Sequence, residues 1–388
     1  MDLDDKSTLH RNPHFQSPLP NSLANDRLAS DSSLNYKNYK NKSWKRFFVV
    51  ENVYSRIALA WTILQLVLIS ILELVILVVN KQNYNKLTSV ATLNSTRDLD
   101  LLGLEKNASA LTVYHSLFIV AQFFQLLLAF DGIYNRSIIQ IVSTTCFNLI
   151  CCAYSVVQSF QAFDIFHKAK GLILGSNHPT FTLEIIVIVL MVIFSIGWIF
   201  LSFKLYRVFG WEIFKDLGAD KTVKDQLFVY HIFLMLLKLD VFFFIGFTVQ
   251  YLILVISYAQ SNTTIDMWVH GCIAMPSALI LLIIAYLAVH KESNILMAAL
   301  LLGLSTGIGY LISKIIDVTT SPSDSRKYVG AKNSLASFEI ITTLLAVATF
   351  IVAIMCYKNF GKGLMELFNK KKGNSKEGGR SLLTPELI

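Results

Sequence analysis

The sequence predicts an all-α, polytopic transmembrane helical bundle of about eight spans, with both termini cytosolic. Three observations carry that expectation. Hydrophobic residues make up 54% of the 388 and charged residues only 15%, against roughly 25% charged in an ordinary soluble protein. Mean hydropathy is +0.54. The apolar residues gather into separate runs of about 20, the length a helix needs to cross about 30 Å of hydrocarbon. Basic residues, finally, crowd into alternate connecting segments. This balance excludes a soluble enzyme, a disordered protein and a secreted disulfide scaffold.

The runs are Ile57–Val79, Thr112–Phe130, Ile138–Phe160, Leu183–Tyr206, Ile232–Tyr258, His270–Val289, Ile295–Ile316 and Phe338–Tyr357. Each is read as a helix, the open-chain structure that satisfies its own backbone hydrogen bonds in lipid. Only residues 290–294 separate the sixth and seventh runs, which therefore read as a tight helical hairpin. Eight spans is the preferred count; seven would follow if one run were re-entrant.

Orientation follows from the basic residues. With the N-terminus in the cytosol, the cytosolic segments hold 23 of the 34 Lys and Arg residues. The opposite side holds nine, and Lys238 and Lys314 fall inside apolar runs. Positive charge near span ends favours the cytosolic side. Residues 1–56 are expected to be a disordered cytosolic tail, polar and rich in Ser, Asn and Asp, ending in a basic-aromatic anchor. The anchor interleaves Lys42, Lys45 and Arg46 with Trp44, Phe47 and Phe48. Residues 57–357 form the bundle, and 358–388 a basic cytosolic tail with Lys370, Lys371 and Lys372. Such clusters favour anionic lipid headgroups at the cytosolic face. No cleavable signal peptide is visible, so the first span is expected to act as an uncleaved anchor.

Sequons test the orientation. Asn94, Asn107 and Asn262 fall on the non-cytosolic side and are the glycosylation candidates, with Asn94 the best placed. The sequons at Asn41 and Asn135 fall on the cytosolic side. None of the five cysteines lies in a non-cytosolic loop, so no disulfide framework is implied. Cys356 is positioned for lipidation near the cytosolic face, though packing is the plainer reading.

Ionisable groups within spans are the candidate functional residues, because burying them is costly. Glu73 lies about 9 Å below the non-cytosolic end of its run, so it is expected to face the bundle. Lys238 and Asp240 are two residues apart and project to opposite sides of a helix. The preferred reading starts the fifth span near Leu239 and lets Lys238 snorkel to the interface. The alternative gives each residue a partner on another helix. Lys314 and Asp317 are spaced to pair with each other, and a joint polar cavity of Glu73 and Lys314 would suit proton-linked transport. The third run carries Ser143, Thr144, Thr145, Asn148, Ser155, Gln158 and Ser159, which must face protein or water. In the seventh run, Ala299, Gly303 and Gly307 form a small-residue stripe suited to close packing. Pro276 and Gly309 are candidate kinks.

No HExxH, GxSxG or P-loop pattern is present, nor a Cys/His set with metal spacing. No cofactor, metal or nucleic-acid partner is expected, and an enzyme is the less favoured class. His115, His231 and His270 stand in or beside three different runs and read as packed or interfacial histidines.

One block is more specific. Phe209-Gly210-Trp211 leads to Gly218-Ala219-Asp220, then Tyr230 and Lys238-Leu239-Asp240-Val241-Phe242-Phe243. It resembles a family of uncharacterised fungal Golgi apparatus membrane proteins with an aromatic-Gly-Trp stretch, a Gly-Ala-Asp turn and a Lys-x-Asp-x-Phe-Phe segment in this order. The resemblance implies a multi-pass Golgi protein and supplies no activity or site residues. Read physically, Trp211, Phe214 and Leu217 suggest a short interfacial helix that Gly218 ends and Asp220 follows as a cap. The leading functional expectation is a non-enzymatic Golgi membrane protein engaged in trafficking or membrane organisation, with cytosolic trafficking proteins as partners. The alternative is a proton-coupled transporter of a small solute or ion. A seven-span receptor is disfavoured, since both termini count as cytosolic.

Overall fold

The computed structural model describes residues 52–93, 99–170, 179–217, 221–253, 268–320 and 332–361. Among them the chain is helical, with no strand. The helices are α1 (Val53–Leu93), α2 (Leu99–Tyr134), α3 (Ile138–Lys170), α4 (Pro179–Leu217), α5 (Lys221–Tyr251), α6 (Met275–His290), α7 (Asn294–Thr320) and α8 (Lys332–Lys358). A π-helical segment, Trp268–Ala274, precedes α6. Each α-helix contains a stretch long and apolar enough to cross a bilayer, the shortest being the 20 residues Gly271–His290 that begin in the π segment. The eight-span reading holds. The helical geometry changes beside Pro276, which occupies the first turn of α6, where a missing N–H is harmless.

Several boundaries differ from the sequence expectation. The fifth span does not begin at Leu239: α5 is continuous from Lys221, and its apolar stretch runs from Asp225 to Tyr251. Lys238 therefore lies within a continuous helix, at the level of the last turn of α2. Trp211, Phe214 and Leu217 form no separate interfacial helix but close α4. Asp131 belongs to the last turn of α2 rather than to a loop. Tyr258 and residues 218–220 lie outside the described residues. The hairpin between α6 and α7 is as tight as expected: Glu292 takes a positive φ of 46°, and Ser293 N–H donates to Ala288 C=O at 3.0 Å.

The helices pack in two rings. In the first, α1 meets α2, α2 meets α3, α3 meets α4, and α4 returns to α1. The second repeats the pattern with α5, α6, α7 and α8, closed by α8 against α5. Helix α5 also touches α2 and α3, so it joins the two rings. One apolar cluster (Ile69, Phe118, Phe147, Met191, Phe242, Phe243) runs from the first ring into α5.

The first ring has its polarity turned inside out. Its interior face on α1 recurs in steps of three and four residues: Ala58, Thr62, Gln65, Ile69, Glu73, Ile76 and Asn80 are all buried. Such a period, close to the roughly 3.6 residues of a helical turn, is one face packed along the whole helix. Outward stand Ile63, Leu64, Val67, Ile71, Leu74 and Val78, each about half exposed. Water would not tolerate that exterior; hydrocarbon does.

Close contact between α1 and α4 depends on Gly197. A Cβ there would lie 2.3 Å from the Trp61 ring, whose Nε1–H donates to Phe194 C=O at 3.3 Å. Gly197→Leu is expected to destabilise the ring by about 1–3 kcal/mol, the usual cost of overpacking. A lower Tm in detergent, partly restored by adding Trp61→Leu, would show it. Of the small-residue stripe on α7, Gly303 makes the close approach: its Cβ would fall 2.2 Å from Leu281 of α6. Ala299 is exposed, and nothing lies within 4 Å of a Cβ at Gly307. Cys356 is buried with its thiol against Val229 C=O, which favours packing over lipidation.

Candidate functional site

The interior of the first ring carries a column of polar side chains in layers. At one level, Glu73 (α1), His115 (α2), Gln158 and Ser159 (α3) and Glu184 (α4) converge, all buried. His115 Nδ1 lies 2.6 Å from Glu73 Oε2. Its other ring nitrogen, Nε2, faces Glu184 Oε1 at 3.4 Å and the Asn80 amide nitrogen at 3.3 Å. One imidazole therefore stands between two carboxyl groups, one at each nitrogen. The surrounding polar groups fix them. Gln158 Nε2 donates to Glu73 Oε2 at 3.3 Å and reaches within 2.6 Å of His115 Nδ1. Ser159 donates its hydroxyl to Glu184 Oε2 at 2.9 Å.

The ligand directions diverge, since the two carboxyl groups address opposite edges of the ring. This geometry suits proton exchange rather than chelation, and among the described residues no group of His, Cys, Asp and Glu is arranged to hold a metal ion.

Two helical turns away lies a neutral layer. Gln65 Nε2 donates to Gln122 Oε1 at 3.0 Å and to Gln125 Oε1 at 3.2 Å. Asn148 donates to Gln125 Oε1 at 3.1 Å, and Ser195 donates to Asn148 Oδ1 at 2.7 Å. Buried Ile69, Phe118 and Met191 occupy the turns between the two layers. Beyond the amides, Thr145 bonds Ser202 across α3 and α4. The column ends at Asp131, which accepts from Asn135 Nδ2 at 2.6 Å, from Gln140 and from Lys238 Nζ of α5 at 2.5 Å.

The sequence candidates are thus distributed. Glu73 faces the bundle as expected, but its partner is His115, which the sequence reading took for a packed histidine. Lys238 pairs with Asp131 on another helix, the alternative in which it finds a partner across the bundle. Asp240, on the opposite side of α5, accepts from Thr349 of α8 at 2.5 Å. Lys314 donates to Tyr251 OH at 3.1 Å and lies over its ring, so it is held in the second ring while the bonds of Glu73 lie within the first. The third-span residues Thr144, Thr145, Asn148, Ser155, Gln158 and Ser159 are buried. Asn94 and Asn262 lie outside the described residues, as do residues 1–51 and 362–388; Asn107 is placed only as part of helix α2.

A signal for the missed residue existed. His115, Gln122 and Gln125 are spaced by seven and three, the same period that sets Gln65 and Glu73 on the inner face of α1. Reading polar residues by that period would have put His115 inside.

An apolar exterior, eight spans and a buried ionisable centre define a polytopic helical membrane protein with a polar core. Its sequence is 29% identical to a UPF0658 Golgi apparatus membrane protein of Schizosaccharomyces pombe over 289 residues, 68% of this chain and 79% of the relative. The resemblance carried by the Trp211 to Phe243 block is borne out, and the chain is a multi-pass membrane protein of the Golgi apparatus. No family model matches the chain, and no solved structure matches it.

Proposed function

We propose that the protein is a proton-coupled transporter of the Golgi membrane, with the α1–α4 interior as its proton-binding element. The observation that supports this is His115 held between Glu73 and Glu184. Neutral amides suffice to hold helices together, as the Gln65 layer does. Three ionisable groups in contact inside hydrocarbon cost far more, and that pattern marks proton relays in pumps and transporters.

The chemistry is simple. A proton arriving on Glu184 passes to His115 Nε2; the ring then releases its Nδ1 proton to the Glu73 carboxylate. Both nitrogens of an imidazole exchange protons readily near neutral pH, so one pass leaves the ring as its Nε2–H tautomer, and a ring flip or further proton exchange returns the hydrogen to Nδ1 before the next. Asn80 and Gln158 hold the ring in register. Passage onward to the Gln65 layer requires water between Ile69, Phe118 and Met191. A rearrangement that parts those side chains would link proton release to exposure of the other face.

Reconstitution tests this reading. Liposomes containing the protein and a trapped pH-sensitive dye are expected to acidify faster after an external acid step than protein-free liposomes, and Glu73→Gln to abolish the difference. Equal rates with and without protein, with small-molecule extract from Golgi vesicles present or absent, would count against it. The trafficking role expected from the sequence is tested by truncating 358–388, of which residues 362–388 lie outside the described residues.

We also propose that both termini are cytosolic, on the basic-residue asymmetry. Deglycosylation is then expected to shift the mobility of wild type but not of Asn94→Gln. Modification at Asn41 instead would invert the orientation.

A further inference from the structure

The second ring contains a feature the proton reading does not use. A cavity of about 500 Å3 lies among α5, α6, α7 and α8, with part of its wall from the end of the π segment. Its lining is hydrocarbon almost throughout, with Phe244, Leu281, Leu304 and Ala346 on the four helices. Ile273, Leu279 and Ile280 belong both to this lining and to the exposed outer surface, so the cavity opens toward lipid.

The polar groups on the wall are few. The hydroxyls of Ser277, Thr306 and Thr342 each donate to a carbonyl of the preceding helical turn. Asp240 differs. Its Oδ2 accepts from Thr349, while its Oδ1 is buried without a hydrogen-bond partner. A carboxyl oxygen in that condition is costly and is settled by a donor. Asp240 lies two residues, about 3 Å along the helix, from Lys238, whose partner Asp131 is in the last turn of α2.

We propose that this cavity binds one uncharged lipid alcohol of sterol size, its hydroxyl donating to Asp240. The volume falls in the range of about 300–1,000 Å3 that holds a compact ligand. A rigid ring body loses little conformational freedom on binding. A phospholipid would need a cation for its phosphate, and the lining offers none. A fatty acid would set its carboxylate against Asp240. Neither brings the neutral hydroxyl donor that Asp240 Oδ1 lacks.

The site stands apart from proton transfer and is tested separately. The full chain in lipid nanodiscs is exposed to a diazirine-bearing sterol, a diazirine-bearing fatty acid and a diazirine-bearing phosphatidylcholine. Preferential labelling by the sterol, competed by unlabelled sterol and mapping to α6 or α7, is the expected result. Gly307 lines the cavity with open space beside it, so Gly307→Leu should fold normally and lose most labelling. Asp240→Leu should weaken competition about tenfold, the loss of one hydrogen bond, and Asp240→Asn should keep most of it. Glu73→Gln should label as wild type even where proton flux is lost. Labelling by phosphatidylcholine as strong as by sterol, or labelling unchanged in a well-folded Gly307→Leu, would overturn the proposal.

Discussion

Replacing His115 by leucine is expected to abolish proton flux and to destabilise the first ring together. The imidazole separates Glu73 from Glu184, and its Nδ1 lies 2.6 Å from Glu73 Oε2. Without it, two carboxyl groups face each other in an interior where Glu73 Oε1 and Glu184 Oε1 already lack hydrogen-bond partners. Removing one member of a buried charged set costs about 3–5 kcal/mol. The lower Tm alone would not distinguish a relay from a structural knot, so a further variant is needed. Neutralising the set as His115→Leu with Glu73→Gln and Glu184→Gln removes the unpaired carboxyls, and stability should largely return, since apolar or neutral replacement of buried charge is often tolerated. Flux should not return. A triple variant that conducts protons like wild type would reduce the cluster to a packing device and remove the transport reading with it.

Why the fold was legible in the sequence and the site only half so has a physical explanation. Crossing a bilayer demands unbroken apolar length, a local property, so the runs from Ile57 and Ile138 announced α1 and α3 directly. Glu73 stood out for the same reason: one acidic residue in an apolar run has no local excuse. Its partner did not, because His115 contacts it from another helix, 42 residues away. The fifth span misled through a related limit. Lys238 was expected at an interface because no acid lies three or four positions from it, yet the acid it uses, Asp131, is 107 residues distant. Local reading can identify a group that needs a partner, while the partner is chosen by the packing of helices. What local geometry did fix was divergence: two residues along a helix are about 200° apart, and Lys238 and Asp240 do serve opposite rings.

That divergence makes Lys238 the residue whose loss should be felt most widely. It turns toward α2 and bonds Asp131, while Asp240, two residues on, bonds Thr349 of α8. Helix α5 thereby joins the end of the polar column to the wall of the lipid-side cavity. Lys238→Met leaves Asp131 with Asn135 and Gln140 as donors but without the counter-charge of Lys238. The side chains of the pair keep about a fifth of their surface exposed, which softens the penalty for a fully buried pair of about 3–5 kcal/mol to about 2–3 kcal/mol. Asp131→Leu alone should cost a similar amount by stranding the lysine. The double variant Asp131→Leu with Lys238→Met removes both charges, and its stability is expected to recover by about 1–3 kcal/mol relative to the sum of the single losses. Denaturation in a double-mutant cycle measures that coupling. If the pair were only a strut, flux in liposomes would recover along with stability. Because Asp131 is the ionisable group at which the column ends, the expected outcome is a stable double variant whose flux stays low. Exchanging the two charges, Asp131→Lys with Lys238→Asp, restores the contact while placing the acid on α5, and comparing its flux with that of the double variant tells whether a carboxyl group or its position on α2 is what the column requires.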